Sequence, residues 1–523
     1  MNRMCFVVAL LALTGPRASA QKPEWDAKYI KMEVPKEVTA DQVFAAKVTM
    51  RNTGTQTWKE ARDVVPSSLH AAEPADNLTW GTNFFIQGQG VVVAPGQDIT
   101  YTSYLRAPSE PGKHNFQWRV HGPKGAIGET TPKLEITVLK RTDAKERVLT
   151  VPAPDPGGKR PLTVDDFEYL GSFKVPEVVG KGGAGFSESG LALRTLKDGS
   201  KRLFMNYTHP ESVLFETDVP EPVKFEKGDA SALKTATVKK EWGALTSKDK
   251  KYGANGGFVW DDERQVMYWS YYHGYWAGGD LPVLNATKLD ADGTVTPVGS
   301  WMLPRQKWFW GGVTRLPKSF ADKYTGGATL GVGFGGYYSI VEPCSRGPAL
   351  GAVATPDPAK GKAEVISLLG YPGTAPAPRP GDYFNANCGF WNDQPKSRSA
   401  GTWTYCDHTR AGVLIDLADK QGYIAFAKLG TGRLGYDYGH IGNAGEAQYW
   451  YFYDARALGE TAKGTRQVGA TAPYLMQSDA GMKGMAFGAC FDEETRTLYV
   501  MRCAAYPVGR EMHPLVHVYR VKK

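Results

Sequence analysis

Five short segments hold most of the tyrosine and histidine side chains that could bind a ligand or transfer a proton. All five contain tyrosine and four contain histidine, and each follows a stretch with the apolar pattern of a strand. The segments are 206–209, 271–276, 336–339, 436–440 and 506–513. Aromatic rings stack on the C–H faces of sugars, while phenol and imidazole groups form hydrogen bonds with sugar hydroxyls. The pattern therefore indicates a glycan-binding face.

The residues predicted to contact this ligand come from these segments and from the tryptophan-rich stretches near them. They are Tyr207, His209, Trp276, Trp308, Trp310, Tyr337, Tyr338, Trp391, Arg510 and His513. Arginine binds carboxylate and sulfate groups through paired N–H donors, so the arginines near these segments favour an acidic polysaccharide. The predicted partner is an extracellular polysaccharide or a cell-surface glycan.

Polysaccharide lyase activity is the first chemistry compatible with these side chains. A lyase needs a base that removes the proton next to a uronate carboxylate, and a cation that neutralises that carboxylate. The candidate catalytic residues are Tyr272, His273, Tyr438 and His440, with Arg433 as the cation. If the protein is an enzyme, we expect a lyase ahead of a glycoside hydrolase.

Other activities remain open. Glycoside hydrolysis requires paired carboxylates, although no acid recurs in register between the segments. The acids available for it are Asp382, Asp407, Asp437 and Glu446. Neutral imidazoles from different segments could instead bind iron or zinc. The histidines available for this are His209, His273, His440 and His513. The non-catalytic alternatives are a lectin-like module and a scaffold that binds another protein, and the sequence identifies no cofactor.

The charge balance and the first residues indicate where the protein acts. The 523 residues include 62 lysines and arginines against 54 aspartates and glutamates, a formal net charge of +8. The excess forms no long run, so nucleic-acid binding is not indicated. Residues 1–20 resemble a secretory signal, with Arg3, an apolar stretch at Phe6–Leu13 and small residues at Ala18–Ala20. No later stretch is long and apolar enough to span a membrane, so we expect a secreted or periplasmic protein without membrane insertion.

Residues 163–523 contain a repeat of five units, each of which begins with glycine followed by an apolar strand. The starting segments are Gly190–Leu193, Gly257–Trp260, Gly312–Arg315, Gly412–Ile415 and Gly484–Phe487. A polar turn and a second strand follow each of them, a third strand follows after a loop, and a fourth precedes the next glycine. These preceding strands are predicted at residues 236–242, 294–301, 363–369 and, approximately, 466–474. Repeated four-strand units predict a β-propeller.

The fifth unit reaches the C-terminus without a fourth strand, and residues 167–173 are predicted to supply it. Pairing of an early strand with the last one closes the ring of a propeller. Glycine at the start of the innermost strands fits this arrangement, because those strands converge where little room exists for a Cβ atom. We therefore expect an all-β chain with five blades; six or seven blades, or a non-repeating β-sandwich, are the alternatives.

Residues 26–139 show a different pattern, in which apolar residues occupy every second position. The clearest stretch is Phe44, Ala46, Val48 and Met50. Turn-forming residues separate the stretches, as at 94–96. This alternation is typical of half-buried strands, and its spacing suits a β-sandwich.

Several motifs follow one another within this sandwich. They are Asn52-x-Gly54-x-x-x-Trp58, Pro95-Gly96, Ala107-Pro108-x-x-Pro111-Gly112, Gln117-Trp118-Arg119 and Gly122. As an ordered set they resemble the tryptophan-rich Ig-like domain of autophagy cargo receptors, which also occurs in exported bacterial proteins. The resemblance implies an Ig-like sandwich that serves as an accessory or interaction module, and it implies no chemistry.

Residues 140–162 are predicted to connect the two parts. Lys140–Arg147 is highly charged, and residues 151–158 are rich in proline and glycine, which favours a semi-rigid extended spacer. The five cysteines that follow the signal cannot all pair within one chain. Cys388 and Cys406 flank a loop and are the best candidates for a disulfide.

Overall fold

The computed structural model describes the chain from residue 22 onward, with gaps. The residues outside the description are 1–21, 41–42, 60–67, 76, 78, 81–83, 86–91, 109, 124, 141–150, 187–188, 226–228, 272–280, 305–307, 310, 334–347, 371–407, 438–439, 480–483 and 510. The predicted signal and the cysteine pair Cys388 and Cys406 therefore lie outside the described residues. Cys490 is a free thiol. No helix in the described part is long and apolar enough to cross a membrane.

The chain divides into two compact units. The first comprises residues 1–36, 45–103 and 114–136, and the second comprises residues 37–44, 104–113 and 137–523. Strands dominate both. The early strands are β1 Ala27–Glu33, β2 Glu37–Thr39, β3 Val43–Asn52, β4 Trp58–Lys59, β5 Ser68–Ala71, β6 Phe84–Phe85, β7 Val92–Val93, β8 Asp98–Arg106, β9 Gly112–Phe116, β10 Trp118–Gly122, β11 Gly125–Thr130 and β12 Leu134–Leu139.

The every-second-residue pattern of residues 26–139 produces the strands that it predicts. Ala46, Val48 and Met50 on β3 are fully buried, and so are Trp58 and Trp118 of the tryptophan-rich motifs. The sheet orders are β1-β3-β8, β11-β10-β5-β6, β2-β12-β9 and β4-β7. Short paired strands around a tryptophan-rich core are the arrangement expected of an Ig-like sandwich.

The Asn52-x-Gly54 motif has a local physical reason. The Asn52 side chain donates to the backbone oxygens of Gln56 at 2.8 Å and Val93 at 3.0 Å. Its own oxygen accepts from the Gly54 N–H at 3.1 Å. A Cβ at Gly54 would lie 2.6 Å from the Glu24 carbonyl oxygen, so a larger residue would displace the backbone. The motif therefore closes a tight loop next to the Trp58 strand.

The second unit contains, among its described residues, five four-stranded antiparallel sheets that follow one another along the chain, with a short strand added to the fourth. Their strands, with those that precede them, are β13 Arg160–Pro161, β14 Phe167–Lys174, β15 Val178–Val179, β16 Gly182–Gly183, β17 Ser189–Thr195, β18 Lys201–Tyr207, β19 Val213–Thr217, β20 Val238–Gly243, β21 Phe258–Asp261, β22 Val266–Ser270, β23 Leu284–Leu289, β24 Val295–Trp301, β25 Gly312–Arg315, β26 Leu330–Gly333, β27 Leu350–Val353, β28 Ile366–Leu369, β29 His408–Asp416, β30 Lys420–Asp437, β31 His440–Tyr453, β32 Leu475–Ser478, β33 Ala486–Asp492, β34 Thr497–Val508 and β35 Glu511–Val521. The two α-helices of the described part are α1 Lys318–Tyr324 and α2 Ala455–Ala462.

Sheets 1 to 4 are β17–β20, β21–β24, β25–β28 and β29–β32, and each keeps its strands in chain order. The middle strands β19, β22 and β27 are buried along their whole length. A strand that is packed on both faces exposes neither face to water. Apolar and polar residues therefore need not alternate along its sequence, as they do in a surface strand. Strands buried in this way recur in every sheet, and the sheet faces that pack against each other form the core.

Sheet 5 joins an early strand to the last three strands of the chain. Its order is β14-β35-β34-β33, and β14 pairs antiparallel with β35 from Phe167 opposite Val521 to Lys174 opposite Leu515. The predicted pairing of residues 167–173 with the C-terminal strand is therefore confirmed. The first strands of the sheets contact one another in sequence: β17 contacts β21, β21 contacts β25, β25 contacts β29, and β29 contacts β33, which contacts β17.

Glycine is required where these first strands meet. A Cβ at Gly190 would lie 2.6 Å from the Gly257 Cα, and a Cβ at Gly257 would lie 3.0 Å from the Gly312 Cα. In the fifth sheet the glycine in this position is Gly488, whose Cβ would lie 2.4 Å from the Leu191 nitrogen. The sequence predicts Gly484 for this position. Gly484 instead precedes the strand with φ +80°, against the Cys503 carbonyl oxygen.

Two segments differ from the sequence-based expectation. Residues 466–474 do not form the fourth strand of sheet 4, which is β32, because α2 and a turn region intervene. Asp454 caps α2 by accepting a hydrogen bond from the Arg456 N–H at 2.9 Å.

The end of the predicted spacer, at residues 160–162, also has fixed contacts. Arg160–Pro161 pairs in parallel with β30, and Leu162 is fully buried.

Candidate functional site

The front face is defined here as the end of the sheets at which their first strands begin. The starts of all five first strands line one small pocket. Its lining residues are Gly190, Leu191, Gly257, Phe258, Val313, Arg410, Ala411, Gly412, Phe487, Gly488 and Ala489. In an antiparallel four-stranded sheet, the connection from the second strand to the third lies at the same end as the start of the first. The described residues 206–209 and 511–513 therefore lie at the front face. The placement of 272–276, 336–339 and 438–439 at the same face stays a prediction.

Four of the predicted site residues have described side chains, namely Tyr207, His209, Trp308 and His513. Arg433 and His440 lie on the long β30–β31 hairpin, where only the backbone is described. The other predicted residues fall outside the described residues: Tyr272, His273, Trp276, Trp310, Tyr337, Tyr338, Trp391, Tyr438 and Arg510. Their roles stay predictions.

Tyr207 lies in the wall of the front face rather than on its surface. Its side chain is fully buried at the end of β18, and its hydroxyl donates to the Pro176 carbonyl oxygen. Burial is the main cause that raises the pKa of Tyr207 above its usual value, and the nearby Tyr506 adds to it. The hydroxyl is therefore protonated at neutral pH and engaged within the fold.

His209 and Trp308 occupy more open positions. The His209 residue is exposed, and its carbonyl oxygen accepts from the Gly183 N–H at 3.0 Å. This bond ties the hairpin of β15 and β16 to the loop after β18. Trp308 is half-buried and packs against Phe309, with ring centroids 6.4 Å apart. Part of the indole is therefore exposed to solvent.

His513 lies opposite Tyr506 in the β34–β35 hairpin, with ring centroids 5.9 Å apart in an edge-to-face arrangement. Both residues are 5% exposed. The His513 Nε2 lies 3.4 Å from the Glu511 carboxylate. Neither the His513 Nδ1 nor the Tyr506 hydroxyl has a hydrogen-bond partner among the described residues. Burial is the main cause that raises the pKa of Tyr506 to about 12, with Glu177 contributing.

Arg410 is a front-face residue that the sequence analysis missed. It lies near the start of β29 and is 3% exposed. Its Nη2 donates to the Asn255 carbonyl oxygen at 2.7 Å, and its guanidinium lies 4.6 Å from the Phe487 ring centroid. These contacts link the starts of sheets 2, 4 and 5. The signal in the sequence was a polar residue directly before the apolar stretch of a first strand. No feature of the sequence, however, distinguished Arg410 from an exposed arginine.

A second histidine of β35 lies in the seam between β14 and β35, the two strands that join the early chain to the C-terminus in sheet 5. His517 is fully buried, and its Nδ1 is 2.6 Å from the Ser172 hydroxyl, which also contacts the Tyr169 hydroxyl at 2.6 Å. Phe225 covers the ring at 6.3 Å, and Arg502 adds a positive charge nearby. Burial first, and then Arg502, lower the pKa of His517 well below its usual value.

Acid is therefore expected to weaken this seam. Because the folded protein resists protonation of His517 while the unfolded chain does not, stability is complete above about pH 6.5 and falls as the pH drops below it. The slope from this one group reaches about 1.4 kcal/mol per pH unit. His517→Gln should flatten the pH dependence of the free energy of unfolding between about pH 6.5 and 5. The exposed His209→Gln serves as the control, and equal slopes for both variants would contradict the assignment.

The described residues also bear on metal binding. No three histidine, cysteine, aspartate or glutamate residues in this part of the chain are grouped so as to hold a metal ion. Of the four histidines considered for a metal site, His273 and the side chain of His440 are not described. His209 is exposed and His513 is buried. The metal hypothesis stays a prediction.

Comparisons with known proteins cover the two parts of the chain unequally. A solved structure of a member of the DUF4221 family from Bacteroides vulgatus is 9% identical, covers 68% of this chain and 99% of its own, and has a TM-score of 0.29. No curated protein matches the chain. Residues 32–136 match the family model described as the Ig-like domain from next to BRCA1 gene. The N-terminal part of this all-β chain is thus an Ig-like domain.

Proposed function

We propose that residues 160–523 form a five-bladed β-propeller in which each of the five sheets is one blade. Three observations support this architecture. Sheets 1 to 4 each contain an antiparallel four-stranded meander, β14 completes the sheet of the C-terminal strands, and each first strand contacts the next around a complete circuit. Joining the first and last strands in one blade prevents the ring from opening at that point.

We further propose that the protein is exported and binds an acidic extracellular glycan on the front face. The observation that carries this proposal is that the starts of the five first strands converge on one point. It supports placing all five tyrosine-rich connections, four of which contain histidine, on a single side. One such segment would be unremarkable in a core, whereas five on one side present repeated stacking and hydrogen-bonding groups. The net charge of +8 favours an acidic ligand.

Binding is proposed ahead of cleavage. The proton transfers of a lyase would depend on Tyr272, His273, Tyr438 and His440, with Arg433 as the cation. Tyr207, the described tyrosine of the predicted set, donates its hydroxyl to a backbone carbonyl and has a raised pKa, so it suits a wall position. A lyase, if present, releases unsaturated products that absorb ultraviolet light, and the binding experiment records this absorbance in parallel.

Retention on an immobilised polysaccharide tests the proposal. The full chain is expected to be retained on polygalacturonate but not on neutral dextran, and added salt should weaken the retention because exposed charges are screened. His273→Ala combined with His440→Ala should leave the thermal midpoint unchanged and abolish retention. The matched control is His70→Ala with His121→Ala in the Ig-like unit, where two rings stack at 3.9 Å. Equal retention on both polymers, or retention unaffected by the first pair, would contradict the proposed face.

A further inference from the structure

The pairing of Tyr506 with His513 leaves two buried polar atoms without a partner in the described part of the chain. Both side chains lie on one face of the β34–β35 hairpin, directly opposite each other. The Tyr506 ring packs in an apolar cluster with Leu233 and Leu515. The pair lies at an irregularity in β34, where Ala504 adopts φ +54°. A non-glycine residue in this left-handed region is uncommon and marks a locally strained hairpin.

Such a pair is unfavourable for stability unless something else satisfies it. Buried hydroxyl and imidazole groups nearly always have hydrogen-bond partners, because a buried polar atom without one loses the bond it had to water. Replacing Tyr506 by phenylalanine would remove this penalty without changing the shape of the ring. Polar groups kept in this unfavourable state are typical of sites that bind a ligand.

We infer that Tyr506 and His513 form a subsite that binds a sugar hydroxyl of the glycan, an inference that rests on the proposed function. The His513 Nε2 faces the Glu511 carboxylate at 3.4 Å, which favours the tautomer with the proton on Nε2 and with Nδ1 as the acceptor. The Tyr506 hydroxyl is protonated and donates. A sugar hydroxyl can accept from Tyr506 while it donates to His513. A carboxylate or sulfate group can only accept, and it would leave Nδ1 unpaired.

Glu511 lies beside His513 and is the exposed neighbour of the pair. Its side chain is 53% exposed, and it packs beside Gly185, where a Cβ would lie 2.5 Å from its carboxylate oxygen. A half-exposed glutamate can rotate into water, which opens the space above His513 without moving the strands. The absence of a side chain at Gly185 leaves room for the carboxylate in the closed position.

Tyr506→Phe tests the inference, and Tyr423→Phe is its matched control. The Tyr423 hydroxyl is also buried and unpartnered among the described residues, but it lies in the core between sheets 3 and 4. Both variants should keep or slightly raise the thermal midpoint of the free protein. Only Tyr506→Phe should weaken binding to polygalacturonate oligomers, by about threefold to tenfold, the value of one hydrogen bond. His513→Phe should weaken it similarly, and the double variant should lose less than the product because both groups bind one hydroxyl.

The outcomes separate the subsite from the proposed function. Wild-type binding that neither Tyr506→Phe nor His513→Phe weakens would overturn the subsite and leave the glycan-binding face standing. A lowered thermal midpoint with unchanged binding would identify an ordered water as the partner, which also overturns it. A wild-type protein that binds no polygalacturonate oligomer would overturn the proposed function together with the subsite.

Discussion

Asp166→Ala is expected to lower the free energy of unfolding of the second unit by about 3–5 kcal/mol. Asp166 is 3% exposed and accepts hydrogen bonds from Arg160 at 2.8 Å, the Thr163 N–H at 2.8 Å and Lys420 at 3.1 Å. The Lys420 side chain is 1% exposed, so removing the carboxylate leaves a buried ammonium with much less compensation. A buried charge without its partner is among the most destabilising changes a protein core can undergo.

Chemical denaturation followed by tryptophan fluorescence measures this change. Asp165→Ala is the matched control, because Asp165 is the neighbouring residue and is exposed. It should change the free energy of unfolding by less than about 0.5 kcal/mol. Equal effects of the two substitutions would show that the buried network contributes little to stability.

The same network predicts an acid transition. Burial alone would raise the pKa of Asp166, but the hydrogen bonds from Arg160, Thr163 and Lys420 outweigh it and lower the pKa to about 2. The unfolded chain binds this proton near pH 4, so the contribution is complete above that pH and is lost as the pH falls from about 4 to 2. This window lies below the one expected for His517, and the two substitutions should therefore flatten different parts of one stability curve.

Gly190→Ala should destabilise the second unit by about 3 kcal/mol or more, at the upper end of what overpacking costs. The added methyl group would lie 2.6 Å from the Gly257 Cα and 2.7 Å from the Phe258 nitrogen. Both are backbone atoms of the neighbouring first strand, so relief requires two sheets to separate. Gly361→Ala is the control, since nothing lies within 4 Å of its Cβ position.

Thermal and chemical denaturation of both variants give the comparison. The control should match the wild type or exceed it slightly, because alanine restricts the unfolded chain more than glycine. If Gly190→Ala also matches the wild type, the first strands do not converge as described.

Periodicity and glycine placement were sufficient to predict the strands and their grouping. Alternation gave the buried face of β3, and the glycines gave the starts of most first strands. The pairing of β14 with β35 followed from counting strands, because a unit without a fourth strand needs one from elsewhere. The end of sheet 4 was not predicted. An apolar pattern in residues 466–474 resembled a strand, while Asp454 before a run of helix-forming residues was the overlooked sign of α2.

The candidate site was less accessible to sequence reasoning. Tyrosine and histidine after each second strand indicated a shared face, but burial separates these residues into different roles. Tyr207 is enclosed and donates to a carbonyl, whereas Tyr506 is enclosed without a partner. That difference depends on neighbours distant in the chain, such as Pro176, which no local pattern encodes. Arg410 was missed for the same reason, because its position at the junction of three sheets is a property of the tertiary fold.

Hydrogen–deuterium exchange of the full chain with and without polygalacturonate oligomers tests whether the front face binds a glycan. We expect slower exchange in the connections at the front face, including residues 206–211 and 503–513. The turns at the opposite end, such as 196–200, 262–265 and 493–496, should exchange at unchanged rates. Protection confined to those opposite turns or to the Ig-like unit, or no protection at a saturating oligomer concentration, would contradict a glycan-binding front face.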